Sequence, residues 1–218
     1  TPNDSGQLDL RFARAASVTG DAWAPPLTIG ADGGEFVTAV IADGRPAVAY
    51  ADTEMGQLKY RQASDATGTS WAPAQSVDTH GLSGRPLSLA AIGGVPAVAW
   101  DDEVRGGPMF ARADDATGRT WGAPVDAGQY WTGDIRGIGM TALDGRPAIG
   151  YTLCTRSGSD MPSGHWFVHA DDPEGSAWST HPPAALAVDD EWTDVCTGAA
   201  FGLVAGNPAF AYYGGAGT

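Results

Sequence analysis

The 218-residue chain carries a formal net charge of −14, because 26 acidic residues stand against 12 Lys and Arg. Such a chain offers no basic stripe to neutralise phosphates, so we expect no nucleic-acid partner and no attraction to anionic membrane surfaces. No apolar run reaches the roughly 18 residues that a membrane span needs, and we expect no membrane insertion. The 31 glycines, 15 prolines and regularly spaced apolar residues indicate one folded strand-and-turn domain.

The first predicted elements are hairpins that recur about every 50 residues. In each, an apolar strand leads into a glycine turn such as Asp43-Gly44, and a second strand begins with Pro-Ala and ends on an aromatic residue. The four copies of this second strand are Pro46–Tyr50, Pro96–Trp100, Pro147–Tyr151 and Pro208–Tyr212. Two short apolar runs around a glycine turn are typical of a β-hairpin. The terminal aromatic residues, Tyr50, Trp100, Tyr151 and Tyr212, are expected to pack between repeats.

A second pattern, a turn from glycine to tryptophan, follows each of the first three hairpins about 20 residues later. Its copies are Asp65–Trp71, Asp115–Trp121 and Asp172–Trp178, and a fourth, Ser17–Trp23, lies at the other end of the chain. Residues 6–11 precede this fourth copy, and we align them with residues 56–61 on their shared Gly-Gln-Leu. The C-terminal region therefore supplies the first half of a repeat, and the N-terminal region supplies the second half.

These repeats predict an all-β fold, a four-bladed β-propeller with four antiparallel strands in each blade. We expect blade 1 at about 35–78, blade 2 at about 85–126, blade 3 at about 136–188, and blade 4 at 197–218 joined to 6–29. The N-terminal outer strands would pair with the C-terminal inner strands and so close the single domain. Closure of this kind removes exposed sheet edges.

The glycine-to-tryptophan turns resemble the Asp-box repeat of sialidase-like propellers. Alignment on glycine and tryptophan places Asp65, Asp115 and Asp172 one residue before the aspartate of that motif. In that family the boxes are structural turns away from the active site, so the resemblance implies fold and no chemistry. The whole unit also resembles the repeat units of exported bacterial propeller proteins.

One face of the predicted propeller receives the loops between the second and third strands of a blade and the loops between blades. Function usually lies on such variable loops. Aromatic and charged residues concentrate there, and the candidate ligand-binding residues are His80, Tyr130, Trp131, Asp134, Arg156, His165, Glu191 and Trp192. At the start of the innermost strands, four repeat-equivalent residues are expected to ring the channel mouth: Glu35, Arg85, Arg136 and Thr197.

The two cysteines permit one disulfide or a metal site. Cys154 ends a strand of blade 3 and Cys196 leads into blade 4 on the same face, so we predict a Cys154–Cys196 disulfide. The acidic, almost lysine-free composition and this disulfide favour a secreted or periplasmic bacterial protein. The alternative is a thiolate site for copper or zinc with His165 or His80. The acidic loops are candidate calcium ligands, although no twelve-residue calcium loop occurs; no cofactor is required by the sequence.

Three functions remain open on these residues. The first is a lectin-like module that binds carbohydrate or another small neutral or cationic ligand through exposed rings and carboxylates. The second is a glycoside hydrolase of sialidase-like type with Asp134, Glu191 and Tyr130 as candidate catalytic residues, since paired carboxylates catalyse glycoside cleavage. The third is a metal-binding propeller. The sequence favours the binding module over an enzyme.

Overall fold

The computed structural model describes residues 8–31, 34–80, 86–102, 104–128, 133–155, 163–178, 184–186 and 198–212. Within these ranges the chain forms β-strands joined by turns, and none of the described residues is helical. Accordingly, the described chain contains no helix that could cross a membrane. Every strand pairing is antiparallel, which confirms the all-β prediction.

Three sheets have four strands each, and in each the strands follow one another along the chain. Sheet 1 consists of β3 (Gly34–Ala42), β4 (Arg45–Asp52), β5 (Gln57–Gln62) and β6 (Gln75–Asp78); sheet 2 of β7 (Leu87–Ile92), β8 (Val95–Asp102), β9 (Gly107–Arg112) and β10 (Val125–Asp126); sheet 3 of β11 (Gly133–Leu143), β12 (Arg146–Thr155), β13 (Gly164–His169) and β14 (Ala184–Leu186).

Two further sheets are two-stranded hairpins. The N-terminal hairpin joins β1 (Leu10–Phe12) to β2 (Leu27–Gly30), and the C-terminal hairpin joins β15 (Ala199–Val204) to β16 (Asn207–Tyr212). The sequence predicted that these hairpins pair with each other in one sheet. In the described part of the structure they are separate sheets, without a ladder between β16 and β1.

The turns between the first two strands of each unit follow directly from their sequence. Asp43 and Gly44 have φ of 49° and 69°, and Ala205 and Gly206 have φ of 50° and 81°. Positive φ at both central residues is the type I′ turn, whose twist matches that of the flanking strands. A glycine at the second position takes this conformation without steric cost. The turns therefore fix the register of the hairpins.

The sheets pack in chain order, since β7 lies beside β3, β11 beside β7, and β15 beside β11. One apolar cluster joins sheets 1 and 2 and contains Leu58, Leu89 and the fully buried Trp100. A second joins sheets 2 and 3 and contains Phe110 and Tyr151. The second strands, β4, β8 and β12, are almost continuously buried because both of their faces are covered.

The glycine-to-tryptophan turns are organised by their aspartates. Asp65 Oδ1 accepts hydrogen bonds from the amide of Thr67 at 2.8 Å and from its hydroxyl at 2.6 Å. Hydrogen bonding, first of all from that hydroxyl, holds the pKa of Asp65 well below its ordinary value. The Trp71 Nε1 donates to the carbonyl of Gly68 at 2.9 Å, so indole and turn are held together.

Each of three such tryptophans also contacts an aromatic residue of the preceding unit. The pairs are Phe12–Trp71, Tyr60–Trp121 and Phe110–Trp178, with ring centroids 5.1, 5.1 and 5.3 Å apart. Trp23, the fourth tryptophan, is 65% exposed. The turns that end in Trp71, Trp121 and Trp178 are therefore packing elements between units, and among the described residues Trp23 has no such ring contact.

Candidate functional site

A β-bulge in β11 presents Arg136 at the surface. Ile135 pairs with Leu153 and Gly137 pairs with Thr152, so Arg136 has no ladder partner of its own. Bulges re-aim side chains in this way and are frequent near functional sites. The guanidinium Nη2 of Arg136 lies 3.1 Å from Asp134 Oδ2, and the two side chains are 52% and 27% exposed. The bulge thus places an accessible ion pair at the start of an innermost strand.

Arg136 is also part of the wall of a cavity of about 540 Å³ between β11 and the C-terminal hairpin. Its lining is otherwise small or aromatic: Gly137, Gly198, Ala199, Ala200, Ala211 and Tyr212. Tyr212 is 41% exposed. A cavity of this size falls within the range of small-molecule sites, and it combines one aromatic surface with one cation.

Tyr212 is not a ligand-binding residue in the sequence-based prediction, because its repeat equivalents are expected to be packing residues. Tyr50, Trp100 and Tyr151 are indeed buried, at 1%, 0% and 1% exposure. Tyr212 differs because the C-terminal hairpin has no third strand hydrogen-bonded to β16 in the described structure. Two features of the sequence could have indicated that Tyr212 is exposed beside a cavity. Tyr212 lies in the last, incomplete repeat, and small residues, glycine or alanine, occupy positions 137 and 198–200.

His165 supports Tyr212 from the protein interior. Its imidazole lies 4.6 Å from the Tyr212 ring and 5.6 Å from the Phe210 ring, measured between centroids. Nδ1 is 3.0 Å from the Thr152 hydroxyl, and the residue is 1% exposed. Burial lowers the pKa of His165 from its ordinary value, because it disfavours the charged form.

The position of His165 departs from the prediction. We placed it at the end of a surface loop as a ligand-binding residue, whereas the structure has it inside β13, paired with Thr152. The apolar residues that follow it, Trp166 to Val168, continue the same strand and draw it into the core. His165 accordingly backs the cavity, and it is not among the residues that line it.

A second cluster lies where sheet 1 ends and the loop after β8 of sheet 2 begins. Arg105 Nη1 is 3.8 Å from Asp78 Oδ2 and 3.6 Å from Asp102 Oδ2. Both aspartates are buried, at 4% and 2% exposure, and these oxygens have no hydrogen-bond partner in the structure. One guanidinium thus balances two buried carboxylates from neighbouring sheets. A loop residue of sheet 2 therefore meets the end of the last strand of sheet 1.

His80 borders this cluster at the surface. Its Nδ1 is 2.9 Å from Asp78 Oδ1, and its side chain is 68% exposed. In sheet 1 the equivalent of Asp102 is Asp52, whose Oδ2 lies 2.6 Å from Lys59 Nζ. Sheet 2 has Met109 in place of that lysine, which explains why Arg105 takes over the charge balance.

Of the remaining predicted channel-mouth and ligand-binding residues, some lie in the described part of the chain and others lie outside it. Glu35 is exposed near the start of β3, as Arg136 is in β11; Arg85 and Thr197, the other members of the expected ring, lie outside the described residues. So do Tyr130, Trp131, Arg156, Glu191 and Trp192. These seven loop and ring predictions remain predictions.

The cysteines lie beside the cavity region. Cys154 pairs with Asp134 across β11 and β12 and is disulfide-bonded. Cys196, the only other cysteine of the sequence, lies outside the described residues. Its predicted pairing with Cys154 therefore remains a prediction. Among the described residues, no three His, Cys, Asp or Glu side chains are grouped so that they could hold a metal ion.

Comparisons with known proteins find a solved structure of similar fold but no matching family. No family model matches the chain, and no curated protein matches it. Among solved structures, the K499G mutant of NanB sialidase from Streptococcus pneumoniae matches with a TM-score of 0.50 and 13% sequence identity. The match covers 78% of this chain and 27% of that protein, so this chain spans about a quarter of the sialidase. At this identity the likeness establishes a sialidase-like β-propeller fold alone.

Proposed function

We propose that this chain is a secreted carbohydrate-binding β-propeller whose ligand occupies the cavity between Arg136 and Tyr212. The observation that carries the proposal is the cavity itself, about 540 Å³ in volume, with the part-exposed Tyr212 ring and the Arg136–Asp134 ion pair beside it. Sugar rings have an apolar face that stacks on aromatic rings, and hydroxyls that bind charged side chains. The cavity offers both contacts, Arg136 from β11 and Tyr212 from the C-terminal hairpin.

The charge of the chain and its fold relative support the same ligand class. A net charge of −14 disfavours acidic ligands, whereas neutral sugars carry no such penalty. A protein of similar fold is named as a sialidase, which points to carbohydrates. The disulfide between Cys154 and Cys196 is part of the same proposal, because it would hold the loops beside the cavity.

Binding is favoured over hydrolysis by the surroundings of Asp134. Most glycosidases use two carboxylates that face one sugar, although sialidases have a tyrosine nucleophile; here the carboxylate of Asp134 is engaged by Arg136 at 3.1 Å, and Tyr130 lies outside the described residues. Glu191, its proposed partner, lies outside the described residues. Hydrolysis of 4-methylumbelliferyl glycosides by the wild-type protein, lost in Asp134→Asn, would move the assignment to an enzyme.

Titration calorimetry with neutral oligosaccharides, and with sialyllactose as an acidic comparison, tests the proposal. Tyr212→Ala removes the stacking surface and should weaken binding by roughly tenfold or more, while Tyr212→Phe should bind nearly as the wild type. Arg136→Gln should also weaken binding. Arg11→Gln is the matched control, since Arg11 is 50% exposed and paired with Asp9. Equal affinity of all four variants would refute this site.

A further inference from the structure

The buried imidazole of His165 has a hydrogen-bond partner at only one of its two nitrogens. Nδ1 lies 3.0 Å from the Thr152 hydroxyl, whereas Nε2 has no partner among the described residues. A neutral imidazole with its proton on Nδ1 leaves only an acceptor at Nε2, but an imidazolium donates from both nitrogens. Protonation of His165, which is 1% exposed, would therefore create a buried charge with an unsatisfied N–H.

The groups that face the imidazole supply no negative charge. Its ladder partners, Thr152 of β12 and Leu186 of β14, do not titrate, and Cys154 farther along β12 is disulfide-bonded. From the C-terminal hairpin, the rings of Phe210 and Tyr212 lie against it, and a phenol is uncharged at neutral and acid pH. Among the described residues none forms an ion pair with this imidazole.

Tyr212 connects the imidazole to the cavity. Its ring centroid is 4.6 Å from that of His165, and Tyr212 lines the cavity whereas His165 does not. The charged side chains beside the cavity, Arg136 and Asp134, pair with each other at 3.1 Å. Tyr212 is therefore the contact through which the charge on His165 can affect the cavity.

The C-terminal hairpin is the side of this contact that moves more easily. His165 lies in β13, which is hydrogen-bonded to a strand on each side, β12 and β14. Tyr212 ends β16, which in the described structure is hydrogen-bonded to β15 alone. Local opening begins at the segments with the fewest stabilising contacts. We therefore expect a charge on His165 to displace Tyr212 and to leave β13 in place.

We infer that His165 is a positioning residue for Tyr212 and thereby makes ligand binding in the cavity dependent on pH. The neutral imidazole holds the Tyr212 ring in the cavity wall, and the imidazolium displaces that ring so that Nε2 reaches water. A cation is attracted to an aromatic face, but this gain is smaller than the cost of burying an unpaired charge. The binding part of the inference rests on the proposed function, whereas the coupling of the two rings does not.

A first test follows the two rings by NMR without any sugar, from about pH 8 to about pH 4. The imidazole signal of His165, assigned through the backbone signals of β13, should titrate below pH 6.5 in the wild type, and the ring signals of Tyr212 should shift with the same midpoint. Tyr212→Ala should raise the His165 midpoint by about half a unit or more, because the imidazole becomes exposed to water.

Tyr212→Phe is the matched control for this titration. It keeps the ring against the imidazole and should leave the His165 midpoint as in the wild type. An equal midpoint in Tyr212→Ala and the wild type, or Tyr212 signals that do not follow the His165 titration, would overturn the inference.

A second test measures binding of the protein to an array of neutral glycans at pH 7.5 and at pH 5. The wild-type signal should be roughly threefold or more weaker at pH 5, because the imidazolium depopulates the arrangement that binds. His165→Gln cannot be protonated and should give nearly equal signals at both values. His169→Gln, at an exposed position of the same strand, is the control and should keep the wild-type decrease.

The outcomes of the two tests separate this inference from the proposed function. Equal wild-type signals at both pH values, or the full decrease retained in a folded His165→Gln protein, would overturn the inference while glycan binding stands. Absence of any glycan signal at pH 7.5 would refute the proposed function and pH-dependent binding together. The His165 midpoint in Tyr212→Ala decides the coupling of the rings in that case, and also if His165→Gln does not fold.

Discussion

Phe12 packs edge-on against the indole of Trp71, with ring centroids 5.1 Å apart and ring planes inclined by 61°. The contact joins the N-terminal hairpin to sheet 1, and Tyr60–Trp121 and Phe110–Trp178 repeat it at nearly the same geometry. Edge-to-face aromatic pairs contribute about 0.5–1.5 kcal/mol beyond their buried area. These pairs are therefore the recurring joint between neighbouring units.

A glycine substitution tests that joint. Gly118→Ala should destabilise the fold by about 2 kcal/mol more than Gly44→Ala, measured by urea unfolding. Both glycines have positive φ, 63° and 69°, so both substitutions carry similar backbone strain. Only at Gly118 would the new Cβ meet a ring, that of Tyr60, at 2.3 Å. Equal losses of unfolding free energy would mean that the ring does not fill this space.

The charge cluster between sheets 1 and 2 gives a second prediction. Arg105→Met should lower the free energy of unfolding by about 2 kcal/mol, because Asp78 and Asp102 would be left buried without a cation. The partial exposure of Arg105, 31%, keeps this figure below that of a fully buried pair. Arg11→Met, which removes an exposed pair, is the control and should cost less than about 1 kcal/mol. A similar loss in both variants would show that Arg105 does not balance the two aspartates.

The buried imidazole of His165 predicts a pH dependence. Burial lowers the pKa of His165 in the folded state below its ordinary value of 6.5. Below pH 6.5 the unfolded chain therefore binds the proton more readily, and stability falls as the pH drops through this value. His165→Gln should flatten the loss of unfolding free energy between pH 7.5 and pH 5. His169→Gln, at an exposed position, should keep the slope of the wild type; an unchanged slope in His165→Gln would refute the assignment.

The parts of the fold that could be predicted are those that local residues determine. The Asp43-Gly44 turn requires positive φ at both positions, and it forms as its sequence indicates. The run from Val95 to Trp100 is apolar at every position, which is typical of a strand that is buried on both faces. In the structure, β8 is buried along nearly its whole length. The turn depends on its own residues, and burial on both faces is indicated by the continuous apolar pattern of β8, so turn chemistry and pattern were sufficient to predict these features.

Two alignments of the N-terminal unit are possible from the sequence, because its Gly-Gln-Leu and its glycine-to-tryptophan turn differ in offset by two residues. The shared Gly-Gln-Leu matched Leu10 with Tyr60, whereas the bridges Ala15–Trp23 and Ala63–Trp71 match Phe12 with Tyr60. The correction moves the alignment by two residues, which keeps the same side of the strand facing the neighbour. Hydrogen-bond register decided this, and the sequence does not display register.

The candidate site was only partly predictable for a similar reason. Arg136 follows from its equivalence to Glu35 at the start of an innermost strand. Tyr212 and His165 were misjudged, because exposure depends on which strands cover a residue from outside its own repeat. Tyr212 lies in a sheet of two strands and His165 in a sheet of four, and this difference reverses the roles that their sequence positions suggested.

Glycan-array binding of labelled wild-type protein beside Tyr212→Ala shows whether the cavity beside Tyr212 binds carbohydrate. We expect the wild type to bind a defined group of neutral glycans, and the signal from the same glycans to fall about tenfold or more in a folded Tyr212→Ala protein. No glycan bound by the wild type, or the same glycans bound equally by both proteins, would contradict it.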